Sequence, residues 1–183
     1  GEQKDRESLI AGLQDKTGLK LGVAGENLVI TGAVTGANGK MAGSATARAD
    51  LMRAIGGDKT FFAQSLNDSP GVNLGATTLN GSLIRLDFSD IAKVNTGKNS
   101  PRTFDSSMIF LHELAHAQDG LTDPSKALRR AIPTVRGAVV DHMNSIRRQL
   151  GLQDRLQYQA DQRNGRTFIP FASGPVYVPS GVD

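Results

Sequence analysis

The motif HELAH at residues 112–116 constrains the fold of this chain more than any other sequence feature. Two histidines four residues apart lie on the same face of an α-helix, where both imidazoles can bind one cation. The motif lies in an apolar stretch from Phe104 to Gln118, with Asp105 or Ser106 as a helix cap before it and Gly120 as a helix end after it. This stretch is the strongest helix prediction in the chain, and the motif on it predicts a metal site.

The residue types of this motif fit a zinc site. Neutral imidazoles bind Zn²⁺ at about 2.0–2.1 Å, so His112 and His116 are predicted to bind one zinc ion per chain. Glu113 follows the first of them and lies beside the metal, where its carboxylate can take a proton from an attacking water and pass it to a leaving amine. With three histidines and four glutamates in 183 residues, chance gives this motif in about one chain in a thousand. The alternative is a structural helix that carries two exposed histidines.

A catalytic zinc site needs a third protein ligand, and the sequence leaves several candidates. No Glu follows Glu113 and no Cys is present, so the ligand has to be His, Asp or Tyr. His142 is the preferred candidate because it is the remaining histidine and lies in the middle of a long predicted helix. Its neighbour Asp141 comes second. The other candidates are Asp154, Asp161 and Tyr158.

The segment RLQY at residues 155–158 holds two further candidate catalytic residues. An Arg and a Tyr three positions apart share one face of a helix, and both Arg155 and Tyr158 can donate hydrogen bonds to a developing oxyanion. The alternative is a surface arginine beside a core tyrosine, and the spacing alone favours that alternative.

Composition and charge limit the class of protein. The chain is 38% hydrophobic and 21% charged, which is typical of a globular protein. Its net charge of +3, without interleaved basic and aromatic residues, does not indicate nucleic-acid binding. No apolar run approaches the roughly 20 residues that span a bilayer, and no signal peptide is visible. We therefore expect no nucleic-acid or membrane partner. The metal motif adds the expectation of a protein or peptide substrate, and a monomer is favoured while the oligomeric state stays open.

The remaining elements are predicted from periodicity and turn residues. The range 1–183 is expected to form one domain, in which residues 1–45 are a loop-rich N-terminal arm and residues 166–183 a C-terminal wrap. The predicted elements are a short helix at 2–13, a strand at 28–30, a helix at 47–55 capped by Thr46, a strand at 81–88, a short helical stretch from Asp123-Pro124 to Arg130, a long helix at 132–150 with Pro133 in its first turn, and two short β-runs between 166 and 180 suited to an edge strand or surface wrap.

Residues 112–117 (HELAHA) and 144–158 (NSIRRQLGLQDRLQY) resemble the NleD-like effector metalloproteases, which are bacterial zinc peptidases delivered into host cells. The downstream pattern of that family runs Glu-Asn-x-x-Arg, Leu-Gly-Leu, Arg-x-x-Tyr. This chain matches it at Asn144, Arg147, Leu150, Gly151, Leu152, Arg155 and Tyr158. It departs at Met143, where the family has Glu, and it has no acidic residue near Val135. The resemblance covers roughly residues 84–158, less than half of the chain.

The resemblance implies an α+β fold of the minimal zincin class, with a small mixed or antiparallel sheet packed on the motif helix and on a second long helix. It implies a zinc-dependent endopeptidase that is secreted or translocated from a bacterium as an effector or toxin domain. It also implies that Arg155 and Tyr158 stabilise the transition state. The strand at residues 81–88 is then the edge that binds an extended substrate by β-addition.

Two other functions fit the same helix. One is a metal-dependent amidase acting on cell-wall peptide, for which the mild positive charge would suit an anionic polymer. The other is a non-catalytic zinc-binding relative of the zincins. A fourth protein ligand would favour the non-catalytic hypothesis, because protein ligands occupy all positions of a structural zinc site.

Overall fold

The structure is a computed structural model that describes residues 1–78 and 80–180. Its elements are α1 (Glu2–Thr17), β1 (Leu19–Ala24), β2 (Asn27–Ala33), α2 (Ala45–Gly56), β3 (Phe62–Leu66), β4 (Gly75–Thr77), β5 (Leu83–Asp87), α3 (Phe88–Ala92), α4 (Ser106–Asp119), α5 (Lys126–Ala131), α6 (Gly137–Gln149), β6 (Asp161–Arg163), β7 (Arg166–Phe171) and β8 (Gly174–Val178). The described chain is thus a mixture of helices and three small sheets, as the sequence predicts. None of its described helices is long and apolar enough to cross a membrane.

Helix α4 carries the HELAH motif and runs through the core. The Asp105 carboxylate accepts the backbone N–H of Met108 at 3.0 Å, which caps the first turn. Gly120 ends the helix in the left-handed conformation, with φ of 61°. Leu111 and Leu114 are almost completely buried. Both predicted helix ends are therefore confirmed.

Helix α1 brings the N-terminal part of the chain into the same core. Leu9 and Leu13 belong to the apolar cluster that contains the buried face of α4. The buried Nζ of Lys16 lies 2.7 Å from the Asp105 carboxylate, which joins α1 to the start of α4. Residues 1–45 are therefore not a loop-rich arm: they hold a helix longer than predicted and the antiparallel hairpin β1–β2.

A three-stranded sheet with the order β3–β5–β4 lies against α4. Strand β5 pairs in parallel with β3 and antiparallel with β4, and its Ile84 and Leu86 are buried in the core. The strand prediction at residues 81–88 is confirmed, but its assignment as the edge is wrong. The edge beside α4 is β4, a Gly-Ala-Thr segment too short and too small in its side chains to show a strand pattern.

Helix α6 packs on α4 with a buried face formed by Val139, Val140, Met143 and Ile146. Helix α6 begins at Gly137 and not at the predicted Ile132. Ile132 is the C-cap of α5, and residues 132–136 connect α5 to α6. Pro133 therefore lies in a turn between the two helices.

The C-terminal segment forms the antiparallel sheet β6–β7–β8. Strand β7 is its central strand, and Pro170 lies opposite Pro175 of β8. Ile169, Phe171 and Val176 join the main core. The two predicted β-runs are confirmed, but the described part of this segment is a core sheet and not a surface wrap.

Candidate metal centre

His112 and His116 lie one turn apart on α4, with their Nε2 atoms 3.2 Å from each other. The Nδ1 of His116 makes a short hydrogen bond with the backbone carbonyl of Leu121, so Nδ1 carries the proton and Nε2 offers its lone pair. Burial, and then the neighbouring His116, hold the pKa of His112 well below its ordinary value. The ring of His112 is thus held in the neutral form that binds metals.

Asp123 completes a group of three around these rings. Its Oδ1 lies 3.5 Å from Nε2 of His116 and 4.0 Å from Nε2 of His112. Its Oδ2 accepts a hydrogen bond from the Tyr158 hydroxyl at 2.8 Å, while Oδ1 is buried and makes no hydrogen bond to any described residue. His112, His116 and Asp123 can therefore hold a metal ion.

Glu113 lies next to this group, and strand β4 holds it. The Thr77 hydroxyl donates to Oε2 of Glu113 at 2.8 Å. Burial raises the pKa of Glu113, and the hydrogen bond from Thr77 opposes that rise. Gly75 lets β4 approach α4 closely, since a Cβ at this position would stand 2.7 Å from Cγ2 of Ile109 and 3.2 Å from Cγ of Glu113. The carboxylate therefore has a fixed place in a nearly dry environment.

These groups open into one cleft of about 640 Å³. Its lining comes from strand β4, helix α4 and the loop after it, Arg147 of helix α6, and the segment at residues 155–158. Its ionisable and hydroxyl-bearing members include His112, Glu113, His116, Asp123, Arg147, Arg155 and Tyr158. A cleft of this size is within the usual range for a ligand-binding pocket.

The structure does not bring His142 or Asp141 to this group. Nε2 of His142 lies 2.8 Å from Oδ2 of Asp50 on α2, and Asp141 accepts a hydrogen bond from Nε of Arg136 at 2.7 Å. The reason is helical periodicity: α6 turns its apolar face to α4, and residues 141 and 142 fall on other faces. The structure therefore places the preferred third ligand, His142, and the second candidate, Asp141, away from the two histidines, and Asp123 is the acidic residue that lies beside them.

The other candidates are also placed elsewhere. Asp154 lies 3.7 Å from Nε of Arg148, and Asp161 is exposed on β6. Tyr158 reaches the centre, but as a hydrogen-bond donor to Asp123. Within the part of the chain that the structure describes, Asp123 alone joins the two histidines.

A local sequence signal marks Asp123, which is not among the ligands predicted from the sequence. Gly120 ends α4 in a left-handed conformation and turns the chain back toward the histidine face. The Leu121 carbonyl then reaches His116, and the carboxylate two residues later reaches the pair. A glycine that ends the motif helix, followed three residues later by Asp, is that signal.

The contact between His142 and Asp50 predicts a pH-dependent stability. Because the hydrogen bond to Asp50 raises the pKa of His142, the pair stabilises the fold fully below about pH 6.5, the ordinary histidine pKa. This stabilisation is lost as the pH rises through the higher folded-state pKa. We therefore expect His142→Gln to lower Tm more at about pH 6 than at about pH 9. Thermal denaturation at both pH values measures this, and an equal loss at both would contradict it.

Arg155 and Tyr158 both reach the cleft, but not from a helix. The segment that carries them is extended after α6, so the predicted shared helix face is wrong. Arg155 donates from Nε to the carbonyl of Gln157 at 2.8 Å and from Nη2 to the carbonyl of Tyr158. Burial, followed by the charge of Asp123, raises the pKa of Tyr158, which keeps its hydroxyl protonated and able to donate to Asp123.

Comparison of the chain with protein-family models, with curated proteins and with solved structures finds no match. The chemistry of the site therefore has to follow from its own residues and distances.

Proposed function

We propose that this protein is a zinc-dependent endopeptidase with a zincin-like arrangement. The observation that carries the proposal is the convergence of His112, His116 and the unpartnered buried oxygen of Asp123 beside the Glu113 carboxylate. Two imidazoles and one carboxylate form a ligand set that suits zinc. A catalytic carboxylate next to such a set is the arrangement of metal-assisted hydrolysis.

The spacing of the three ligand atoms supports zinc. Atoms bound to one tetrahedral zinc ion at about 2.0–2.1 Å stand about 3.3–3.4 Å from one another. The separations in this site are 3.2, 3.5 and 4.0 Å. Three protein ligands is also the number typical of catalytic zinc sites, whereas structural sites have four. When bound, zinc polarises the scissile carbonyl and increases the acidity of water.

Glu113 acts as the general base in this proposal. Its carboxylate accepts a proton from the attacking water and delivers it to the leaving amine. The hydrogen bond from Thr77 and the close approach of β4 at Gly75 hold the carboxylate in one position. Tyr158 orients Asp123 through its hydroxyl, and a donor to a ligating carboxylate fixes the geometry of that ligand.

Strand β4 provides a place for an extended peptide. It pairs with β5 on one side, and its residues Gly75–Thr77 line the cleft. An extended substrate can add to such an edge through its main chain, which would bring a peptide bond past Glu113. This role passes from β5, where the sequence predicted it, to β4.

The arrangement of the sheet and the helices supports the same proposal. A small mixed sheet lies against α4, with α6 on the same helix, which is the arrangement expected for a minimal zincin. The resemblance of residues 144–158 to NleD-like effector metalloproteases adds a bacterial effector that is secreted or translocated. The protein substrate and the monomeric state are part of this proposal as well.

Metal content and proteolysis test the proposal together. We expect the protein purified without added metal to contain about one zinc per chain by mass spectrometry. We also expect it to cleave casein and to leave peptidoglycan fragments intact. Cleavage of peptidoglycan fragments alone would replace the peptidase with a cell-wall amidase. Bound zinc without any hydrolysis would indicate a non-catalytic zinc domain.

A further inference from the structure

Two buried arginines, Arg147 and Arg155, line the same cleft as His112 and Glu113. Arg147 on α6 is only 3% exposed and Arg155 only 6%. Arg147 donates from Nη1 to Oδ1 of Asn144 at 3.2 Å, and its buried Nε has no hydrogen-bond partner among the described residues. A guanidinium has five N–H donors, so most of the donors of Arg147 have no hydrogen-bond partner among the described residues.

The two arginines carry buried positive charge that no carboxylate neutralises directly. In the described part of the chain, neither guanidinium forms an ion pair with an acidic side chain. Burial, and then repulsion from Arg155, lower the pKa of Arg147 to about 9, while Asp154 and Asp105 act on it only as weaker opposing charges. Two like charges in a desolvated site destabilise the fold unless an anion compensates them.

The surroundings of the two guanidinium groups are partly apolar. Phe104, Met108 and Ile169 are further members of the cleft lining. Guanidinium groups bind carboxylates through paired, charge-assisted hydrogen bonds, which are stronger in such a pocket than in water. The Cζ of Arg147 also lies over the Phe171 ring, 5.2 Å from the ring centroid. This contact involves a face of the guanidinium and does not satisfy its N–H donors.

We propose that Arg147, supported by Arg155, forms a specificity subsite for a carboxylate of the peptide substrate. This inference rests on the proposed peptidase function and adds the substrate class, a peptide with a carboxylate near the bond to be cut. The carboxylate comes either from an Asp or Glu side chain, as in a substrate cut internally, or from the C-terminus of the substrate, in which case the enzyme removes C-terminal residues. Arg147 thus determines which peptides bind and takes no part in the proton transfers.

The test measures binding without turnover. Zinc-loaded Glu113→Gln protein is titrated by calorimetry with three alanine-based peptides, since the chain has no Trp to report binding. The first peptide has blocked ends and one Glu, the second has Gln in its place, and the third has no acidic side chain but a free C-terminal carboxylate. We expect the first or the third to bind about 10- to 100-fold more tightly than the second.

Substitutions of the arginine assign this preference. In the Glu113→Gln background, Arg147→Met is expected to abolish the preference for the carboxylate, because Met fills a similar volume without charge. Arg147→Lys is expected to keep part of the preference for the carboxylate, because Lys retains the positive charge but not the paired donors of a guanidinium. This variant serves as the test if Arg147→Met fails to fold. Arg148→Met is the matched control, since Arg148 is the next residue of α6, largely exposed and outside the cleft lining.

The possible outcomes separate this inference from the proposed function. Equal binding of all three peptides, or a preference that survives Arg147→Met, would overturn the subsite even if the unsubstituted enzyme cleaves casein. A preference that depends on Arg147 in a protein that hydrolyses nothing would support the subsite and reject the peptidase. Tighter binding of the first peptide identifies an acidic side chain as the ligand, and tighter binding of the third identifies a chain terminus.

Discussion

Glu113→Gln is expected to leave zinc bound and to lower kcat/KM for casein by about 10³-fold, within the 10²–10⁴-fold range typical of a general base. Glutamine has nearly the same shape, and its amide oxygen can still accept the hydrogen bond that Thr77 donates. It cannot accept a proton from the attacking water. The fold and the metal ligands therefore persist while the proton transfer is lost. Hydrolysis rates and zinc content of the same preparation measure both effects.

Glu7→Gln is the matched control for this substitution, because Glu7 is exposed on α1 and far from the motif in the chain. We expect this control to match the unsubstituted protein in both rate and zinc content. An unchanged rate in Glu113→Gln would reject the general-base role. A large loss of zinc would show that the carboxylate supports the metal centre itself.

Asp123→Ala is expected to reduce bound zinc from about one per chain to near zero after dialysis, since it removes one of three ligands. The Tm should fall with it, because a metal that binds only the folded state stabilises that state by mass action, by about 4 kcal/mol at a thousand times the dissociation constant. His116→Ala should have the same effect. Mass spectrometry and thermal denaturation, with and without added zinc, measure this result.

His142→Ala provides the comparison, because His142 is the ligand that the sequence favoured. It is expected to keep its zinc, since its ring pairs with Asp50 on α2. Its stability should change equally with and without added metal. Normal zinc binding in Asp123→Ala together with zinc loss in His142→Ala would reject the assignment of the third ligand and require α6 to rotate.

The sequence predicted those parts of the molecule that local chemistry determines. Helix α4 follows from the Asp105 cap, the Gly120 end and the apolar spacing between them, and each of these acts within a few residues. The same holds for the pairing of His112 with His116, which the helical repeat brings together. The candidate base Glu113 follows from its place beside the first histidine.

The rest depends on contacts between distant segments. Strand β4 exists because β5 pairs with it and because Gly75 can approach Ile109 of α4, and neither contact is visible in the segment itself. The start of α6 at Gly137 was missed because Pro is common in the first turn of a helix, so Pro133 was taken as part of α6. In the structure Pro133 lies in a turn between α5 and α6. Asp123 was missed for another reason. The third ligand was expected on a second helix, whereas Asp123 lies in the loop directly after α4.

The position of the C-terminal sheet late in the chain determines when the cleft is completed during synthesis. Leu156 donates its N–H to the Pro170 carbonyl at 2.9 Å, and Ala172 donates to the Asp154 carbonyl at 3.0 Å, so β7 anchors the segment that carries Arg155 and Tyr158. A ribosome synthesises HELAH and Asp123 well before it synthesises β7. A nascent chain therefore has the side chains that could hold a metal ion before it has the wall of its cleft, and the substrate selection that we propose can begin only after the last sheet has emerged and folded.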